Sequence, residues 1–228
     1  MNTILLLAQR ELLHYSRAKA RVIASLATPA MVYLFARAGG GGEFFFAGSL
    51  ALVILFSAIF SAFSLIEDRN QGFLQGVLVS PAQSYEIALG KILGGAILSS
   101  LQALVFMAFQ PHHWHLMVLP VIALTSLACA GLGLAVAWPC ATASAFHSLM
   151  NLILMPMWLL SGALFPAQQA HPLMALAIKI NPFTHCLESL RQALEGHSPS
   201  LSFPLAFALL MLTSAVAVVS SQRQKGPQ

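Results

Sequence analysis

The stretch Glu67-Asp-Arg-Asn-Gln-Gly72-Phe-Leu-Gln-Gly-Val-Leu-Val-Ser80-Pro-Ala-Gln-Ser-Tyr-Glu86-Ile-Ala-Leu-Gly-Lys91 holds five of the chain's 18 charged residues in 25 positions. Residues 44–66 before it and 92–109 after its last lysine contain no Asp, Glu, Lys or Arg. A short charged connection between two long uncharged runs is the pattern of helices that cross a bilayer.

The same pattern extends in both directions. The chain is 58% hydrophobic and only 8% charged, with a mean hydropathy of +0.79, whereas a soluble domain carries about 25% charged residues. A spanning helix needs roughly 20 apolar residues, and 228 residues leave room for about six crossings in a single membrane domain covering 1–228. Uncharged runs predict them at Val22–Ala36, Phe44–Ile66, Ile92–Phe109, Leu116–Trp138, Ser148–Phe165 and Leu201–Ser220. The first run is short, so it needs flanking residues or a thin bilayer. The expected fold is an all-α integral membrane protein of six transmembrane helices.

Placing both termini in the cytoplasm puts Arg10, Arg17, Lys19, Arg21, Arg69, Lys91, Arg223 and Lys225 inside, against Arg37, Lys179 and Arg191 outside. The positive-inside rule favours that orientation, in a multi-pass protein of the cell inner (plasma) membrane. The start lacks a basic region before its short apolar run and a clear cleavage site, so no removable signal peptide is expected. Residues 1–20 set Ile4, Leu5, Ala8, Leu12 and Tyr15 at helical intervals, with Arg10, Glu11 and Arg17 elsewhere around the helix. This predicts an amphipathic helix along the inner membrane surface.

On the outside, 166–200 is too polar to span. Within it Phe183, Leu187, Leu190 and Leu194 recur on one helical face, while Glu188, Arg191 and Glu195 take the other at ion-pair spacing. Glu188 and Arg191 are expected to pair and to orient this outer helix. Asn181-Pro182 marks a break before it, and Leu173–Ile178 forms a candidate half-helix dipping back into the membrane.

The connection 67–86 reads as helix, break, helix. Phe73, Leu74, Val77 and Leu78 line one side of a short helix, with the acidic pair Glu67 and Asp68 near its N-terminus, where the helix dipole favours negative charge. Ser80-Pro81-Ala82-Gln83 resembles a cap, a first-turn proline and a capping-box glutamine that restart the chain. Such a helix serves either as an interfacial connector on the lipid surface or as an insert in a groove of another protein. Gly72 and Gly76 each weaken it by roughly 1 kcal/mol, which favours an external support.

Several function classes are excluded or demoted. Gly90-Lys91 lacks the preceding glycine and following Ser or Thr of a phosphate-binding loop. The spans carry none of the midplane acids or arginines that ion-coupled carriers use. Basic residues are dispersed, which argues against nucleic acid. Cys129, Cys140 and Cys186 form neither a disulfide framework nor a zinc spacing, and no Ser or His stands beside a carboxylate on one element, so no catalytic residue is assigned. The cluster His112-His113-Trp114-His115, near Met117, supports the alternative of a membrane-embedded haem- or metal-handling protein. The cluster sits in an expected outer turn with no second histidine pair at matching depth on facing helices, so a polar interfacial turn anchored by Trp114 is the favoured reading and no metal ligand is assigned. Gln102, Asn151 and Pro156 are pathway candidates, although interhelical hydrogen bonds and helix kinks explain them too.

The connection resembles the coupling segment of the membrane subunits of type-2 ABC exporters. The resemblance rests on Glu67-Asp68-Arg69-Asn70-Gln71-Gly72-Phe73-Leu74, then Ser80-Pro81, then Leu89-Gly90-Lys91. It continues in Leu160-Ser161-Gly162-Ala163-Leu164-Phe165-Pro166, Ile180-Asn181-Pro182-Phe183-Thr184-His185, Leu190-Arg191 and Leu194-Glu195-Gly196. It implies that Glu67, Asp68, Arg69, Gly72, Phe73, Leu74, Pro81, Gly90 and Lys91 couple the chain to a separate ATP-binding subunit. It further implies that Gly162, Phe165, Pro166, Asn181, Pro182, Glu188 and Arg191 belong to a re-entrant outer gate. By the same resemblance ATP and Mg reside on the partner and no cofactor on this chain. A second permease copy, membrane lipids and an amphiphilic substrate of drug, lipid or glycan type complete the expected assembly.

Overall fold

The computed structural model describes residues 3–72, 83–165 and 171–224, with side chains through residue 220. Phe73, Leu74, Pro81 and Pro166, together with the expected helix around Val77 and Leu78 and the terminal Arg223 and Lys225 side chains, lie outside that description.

The described chain is helical and contains no strand. Its elements are α1 (Thr3–Arg17), α2 (Lys19–Ala38), α3 (Gly42–Ala62), α4 (Ser64–Asn70), α5 (Ser84–Met107), a 3-10 turn (Pro111–His113), α6 (Val118–Ala137), α7 (Ala143–Leu159), α8 (Pro172–Ile180), α9 (Pro182–Leu194) and α10 (Ser202–Gln224). Four stretches among the described residues are long and apolar enough to cross a membrane: Gly42–Asn70, Ser84–Met107, Val118–Ala137 and Ser202–Ser220. They correspond to the expected second, third, fourth and sixth spans. α7 is a shorter apolar helix, and it ends at Leu159 instead of running to Phe165. α2 bears Lys19, Arg21 and Arg37 on its ends, which shortens its uncharged part.

α3, α5 and α6 pack on one another in the middle of the bundle, with α2 against α3, α10 against α6 and α1 against α5. Small residues set the close approaches, as expected where dispersion rather than water drives helix association. A Cβ on Gly95 would lie 3.0 Å from Ser61 Oγ and 3.3 Å from Ala130 Cβ, at the junction of the three central helices. Gly131 approaches α10 so closely that a Cβ there would stand 2.9 Å from Met211 Cβ.

A buried polar layer ties four helices together. Gln102 Oε1 accepts from Ser25 Oγ on α2 at 2.6 Å and from Ser57 Oγ on α3, and Gln102 Nε2 donates to Tyr15 Oη on α1 at 3.4 Å. Gln102 therefore serves interhelical bonding, which satisfies an amide that would be costly in hydrocarbon.

Toward one end of the bundle, aromatic rings accumulate. Tyr33 meets Phe46 and Phe106 edge-on, and its hydroxyl accepts from Gln110 Nε2 at 2.8 Å. α8 and α9 lie at this aromatic end. Asn181 caps α9 by accepting from Phe183 N at 3.0 Å, with Pro182 in the first turn where its missing N–H costs nothing. Phe183, Leu187, Leu190 and Leu194 are all buried, as the periodicity predicts.

Candidate functional site

The opposite end of the bundle is charged, and its centre is α4. Phe63 keeps helical φ and ψ (−58°, −28°) and joins α3 to α4, so Glu67, Asp68 and Arg69 stand at the end of one long apolar stretch. α4 stops at Gly72, whose φ of +75° is the left-handed geometry that closes a helix and that glycine adopts without steric cost.

The three consecutive charges point to three different parts of the chain. Glu67 holds Arg21 of α2 through both carboxylate oxygens, and the Arg21 guanidinium lies 4.8 Å above the Phe63 ring. Asp68 accepts from Arg10 of α1 at 2.6 and 3.0 Å and from Lys91 Nζ of α5 at 2.6 Å. Arg69 donates to the carbonyls of Trp138 at 2.9 Å and Cys140 at 2.8 Å, capping the end of α6 and bracing the turn into α7.

Lys91 is fully satisfied in this arrangement. Its ammonium has three hydrogens and three acceptors: Asp68 Oδ2 at 2.6 Å, Glu11 Oε1 at 2.7 Å and Ser64 Oγ at 3.0 Å. Glu11 also accepts from Ser64 Oγ at 2.5 Å and from Arg10 at 3.2 Å. Asp68, Glu11 and Lys91 are only 1%, 4% and 7% exposed. Two cations and two anions thus form a neutral, hydrogen-bonded cluster, buried except for the partly exposed Arg10, the condition under which burying charge is tolerable.

α1 turns Glu11, Ala8 and Tyr15 inward against the bundle and leaves Leu5, Leu6 and Leu13 exposed. It is seated by two glycines of α5: a Cβ on Gly90 would lie 2.6 Å from Leu7 Cβ, and one on Gly94 would lie 2.7 Å from Glu11 Cβ. Gly90 and Lys91 are therefore contact residues for α1. The restart of the chain is also displaced by three residues. Gln83 is the N-cap of α5, and its own N–H donates to Glu86 Oε2 at 2.8 Å, so the reciprocal glutamate is Glu86.

At the aromatic end, the expected Glu188–Arg191 pair does not form. Arg191 Nη2 donates to the Gly162 carbonyl at 2.8 Å, and the guanidinium sits 4.3 Å from the centre of the Phe44 ring. Burial pushes the Arg191 pKa down, opposed by the nearby charges of Glu188 and Glu195. Gly162 adopts φ +81° in the turn after α7, and Asn181 Nδ2 donates to Met157 O at 2.5 Å. Gly162, Asn181, Pro182 and Arg191 are thus brought together, with Phe165 half-buried nearby in sequence and Glu188 exposed. On α7, Asn151 and Pro156 are exposed, while only Phe146, Leu154 and Trp158 of that helix are buried.

The histidines are dispersed in role. His113 Nδ1 lies 3.0 Å from Leu194 O, and its ring stacks on Phe46. Trp114 Nε1 donates to Met107 O at 3.2 Å. Among the described residues no group of three or more His, Cys, Asp or Glu is placed to hold a metal ion.

A helical bundle with four apolar helices of spanning length, braced at one end by a neutral ion cluster, defines an integral membrane protein. The chain belongs to the ABC-2 type transporter family, whose model matches residues 2–194. It is 28% identical over 205 residues to Nodulation protein J of Neorhizobium galegae, covering 79% of this chain and 76% of that protein. A Nodulation protein J of Rhizobium leguminosarum bv. trifolii is 29% identical over 202 residues, with the same coverage. The probable multidrug ABC transporter permease YbhR of Escherichia coli (strain K12) is 26% identical over 164 residues, covering 68% of this chain and 45% of that protein.

Proposed function

We propose that the chain is the permease half of an ATP-driven exporter that moves an amphiphile of drug, lipid or glycan type across the inner membrane. Two identical copies pair around the pathway, and each is driven by a separate ATP-binding subunit that carries ATP and Mg. The charged end of the bundle faces the cytoplasm with both termini, and the aromatic end faces outward. α2 and α7 complete six crossings, with α8 and α9 as the outer re-entrant pair. On α7, the exposed Asn151 and Pro156 face the pathway or the second copy.

The observation that carries this reading is the fan of contacts from Glu67, Asp68 and Arg69. A push on the segment beginning at Gly72, received by Phe73 and Leu74 in a groove of the ATPase, is passed by Glu67 to α2 and by Asp68 to α1 and α5. Arg69 passes it to the end of α6 and the turn into α7. One short helix therefore reaches α1, α2, α5, the end of α6 and the turn into α7.

The experiment is transport and ATP hydrolysis by the reconstituted complex with Glu67→Gln. Insertion and ATPase binding persist while transport per ATP falls. Undiminished transport in this variant sinks the proposal.

A further inference from the structure

We infer that the outward face of α1, with the corner where α1 turns into α2, is a docking site for an anionic phospholipid. Arg17 and Lys19 hold its phosphate, and Leu6, Leu13 and Ile23 meet its acyl chains. The inference rests on the export reading only for placing the charged end of the bundle at the cytoplasmic membrane surface, and it adds a site and a ligand class to that reading.

Charge is left over at this end. Its described residues include Arg10, Arg17, Lys19, Arg21, Arg69 and Lys91 against Glu11, Glu67, Asp68 and Glu86, an excess of two positive charges. Arg10 and Lys91 are bound to Asp68 and Glu11, Arg21 to Glu67, and Arg69 to two carbonyls. Arg17 and Lys19 are exposed, and neither side chain has an ion-pair or hydrogen-bond partner among the described residues. They stand on either side of Ala18, where the backbone leaves helical geometry (φ −85°, ψ 64°) and α1 gives way to α2.

A groove of about 340 Å³ runs along α1 into this corner, lined among the described residues by Leu6, Gln9, Arg10, Leu13, His14 and Arg17, with no carboxylate. His14 Nε2 lies 3.9 Å from Glu67 and Arg10 is held by Asp68, so Arg17 is the cation that the groove offers to a ligand. Leu6 and Leu13 are exposed, and Ile23, exposed near the start of α2, prolongs the apolar surface toward the span.

Exposed leucines ending at two unpaired cations match a molecule whose apolar chains adjoin a phosphate. The stems of Arg17 and Lys19 lie along apolar surface while their heads reach the phosphate, to which a guanidinium gives two parallel hydrogen bonds. An acidic segment of a soluble protein would satisfy the cations and leave the leucines in water. A zwitterionic phospholipid would cover the leucines but set its own cation beside Arg17 and Lys19. The corner also lies between Glu11, tied to Lys91 and Ser64, and Arg21, tied to Glu67. A phosphate held there steadies the two helices through which α1 and α2 reach the end of α4.

The test uses the full permease, alone and with its ATPase, in phosphatidylcholine nanodiscs carrying a trace of photoreactive phosphatidylglycerol. A photoreactive phosphatidylcholine with the same chains is the comparison. The phosphatidylglycerol probe should label residues 6–23 in preference to the phosphatidylcholine probe. Arg17→Gln and Lys19→Gln should each cut that labelling about five-fold, the share of one basic residue beside an anionic headgroup, while Arg37→Gln at the opposite end leaves it unchanged. Both substitutions fall on exposed side chains, where folding tolerates change, and the comparison of the two probes needs no variant. Equal labelling by the two heads, or undiminished labelling in the Arg17→Gln, Lys19→Gln double variant, overturns the inference. Loss of labelling when the ATPase binds overturns it too, by giving this face to that protein. Preferential labelling in a complex that exports nothing sustains the site and counts against the export reading; an exporting complex without it overturns only the site.

Discussion

Lys91 Nζ lies 2.6 Å from Asp68 Oδ2, with the two side chains 6% and 1% exposed, so the head of α5 is neutralised by the end of α4. Removing one partner strands a buried charge, which costs about 3–5 kcal/mol. Asp68→Asn and Lys91→Met should each destabilise by that order, and the double variant by less than the sum. Unfolding of the purified protein across the double-mutant cycle measures the difference; strict additivity would remove the cluster from any account of stability.

Gly72 should be sensitive for a reason of backbone alone. A Cβ there meets nothing within 4 Å, but φ is +75°, and a left-handed non-glycine residue costs roughly 1–2 kcal/mol. Gly72→Ala is expected to lower transport per ATP more than Gly72→Asn, because asparagine enters this region more readily. The two coupling ratios, measured side by side, check the order.

Gly90 and Gly94 should report on α1. Methyl groups at 2.6 Å from Leu7 Cβ and 2.7 Å from Glu11 Cβ cannot be accommodated without displacement, at about 1–3 kcal/mol each. Gly90→Ala and Gly94→Ala should raise hydrogen exchange throughout Thr3–Arg17 while leaving α6 and α10 protected. Unchanged exchange in α1 would mean that the helix is held from another side.

Cys186 offers a test by pH. Burial pushes its thiol from an ordinary 9.0 up to about 12. A raised folded pKa favours the protonated form, so the associated stability is complete below the unfolded value and is lost as pH rises from about 9 toward 12. Unfolding at stepwise alkaline pH should show that loss and Cys186→Ser should reduce it. Maleimide should spare Cys186 in the folded protein at pH 8.

Legibility of the sequence followed the range of each interaction. The apolar runs, the buried face of α9 and the Asn181-Pro182 start are local patterns, and four helices of spanning length appear where uncharged runs predict them. The cluster of Arg10, Glu11, Asp68 and Lys91 could not be assembled by inspection, because its cross-helix contacts span 23, 58 and 80 positions and no periodicity links them. The accessible signal was their balance: two cations and two anions at the edges of apolar runs, in a chain with few charges. Glu67 and Asp68 are held by side-chain cations of α1, α2 and α5, contacts that no local pattern announces. Such long-range contacts also undid the Glu188–Arg191 pair, since a carbonyl and an aromatic ring lay closer to Arg191.

The order of synthesis gives the ion cluster a further consequence. Glu11 leaves the ribosome 80 residues ahead of the lysine that neutralises it, and the glycine seats for α1 are made only with the start of α5. Until those residues are made, Glu11 lacks the ammonium of Lys91 and α1 lacks its glycine groove. The pairing that neutralises Glu11 and the seat that receives α1 thus both depend on residues of α5.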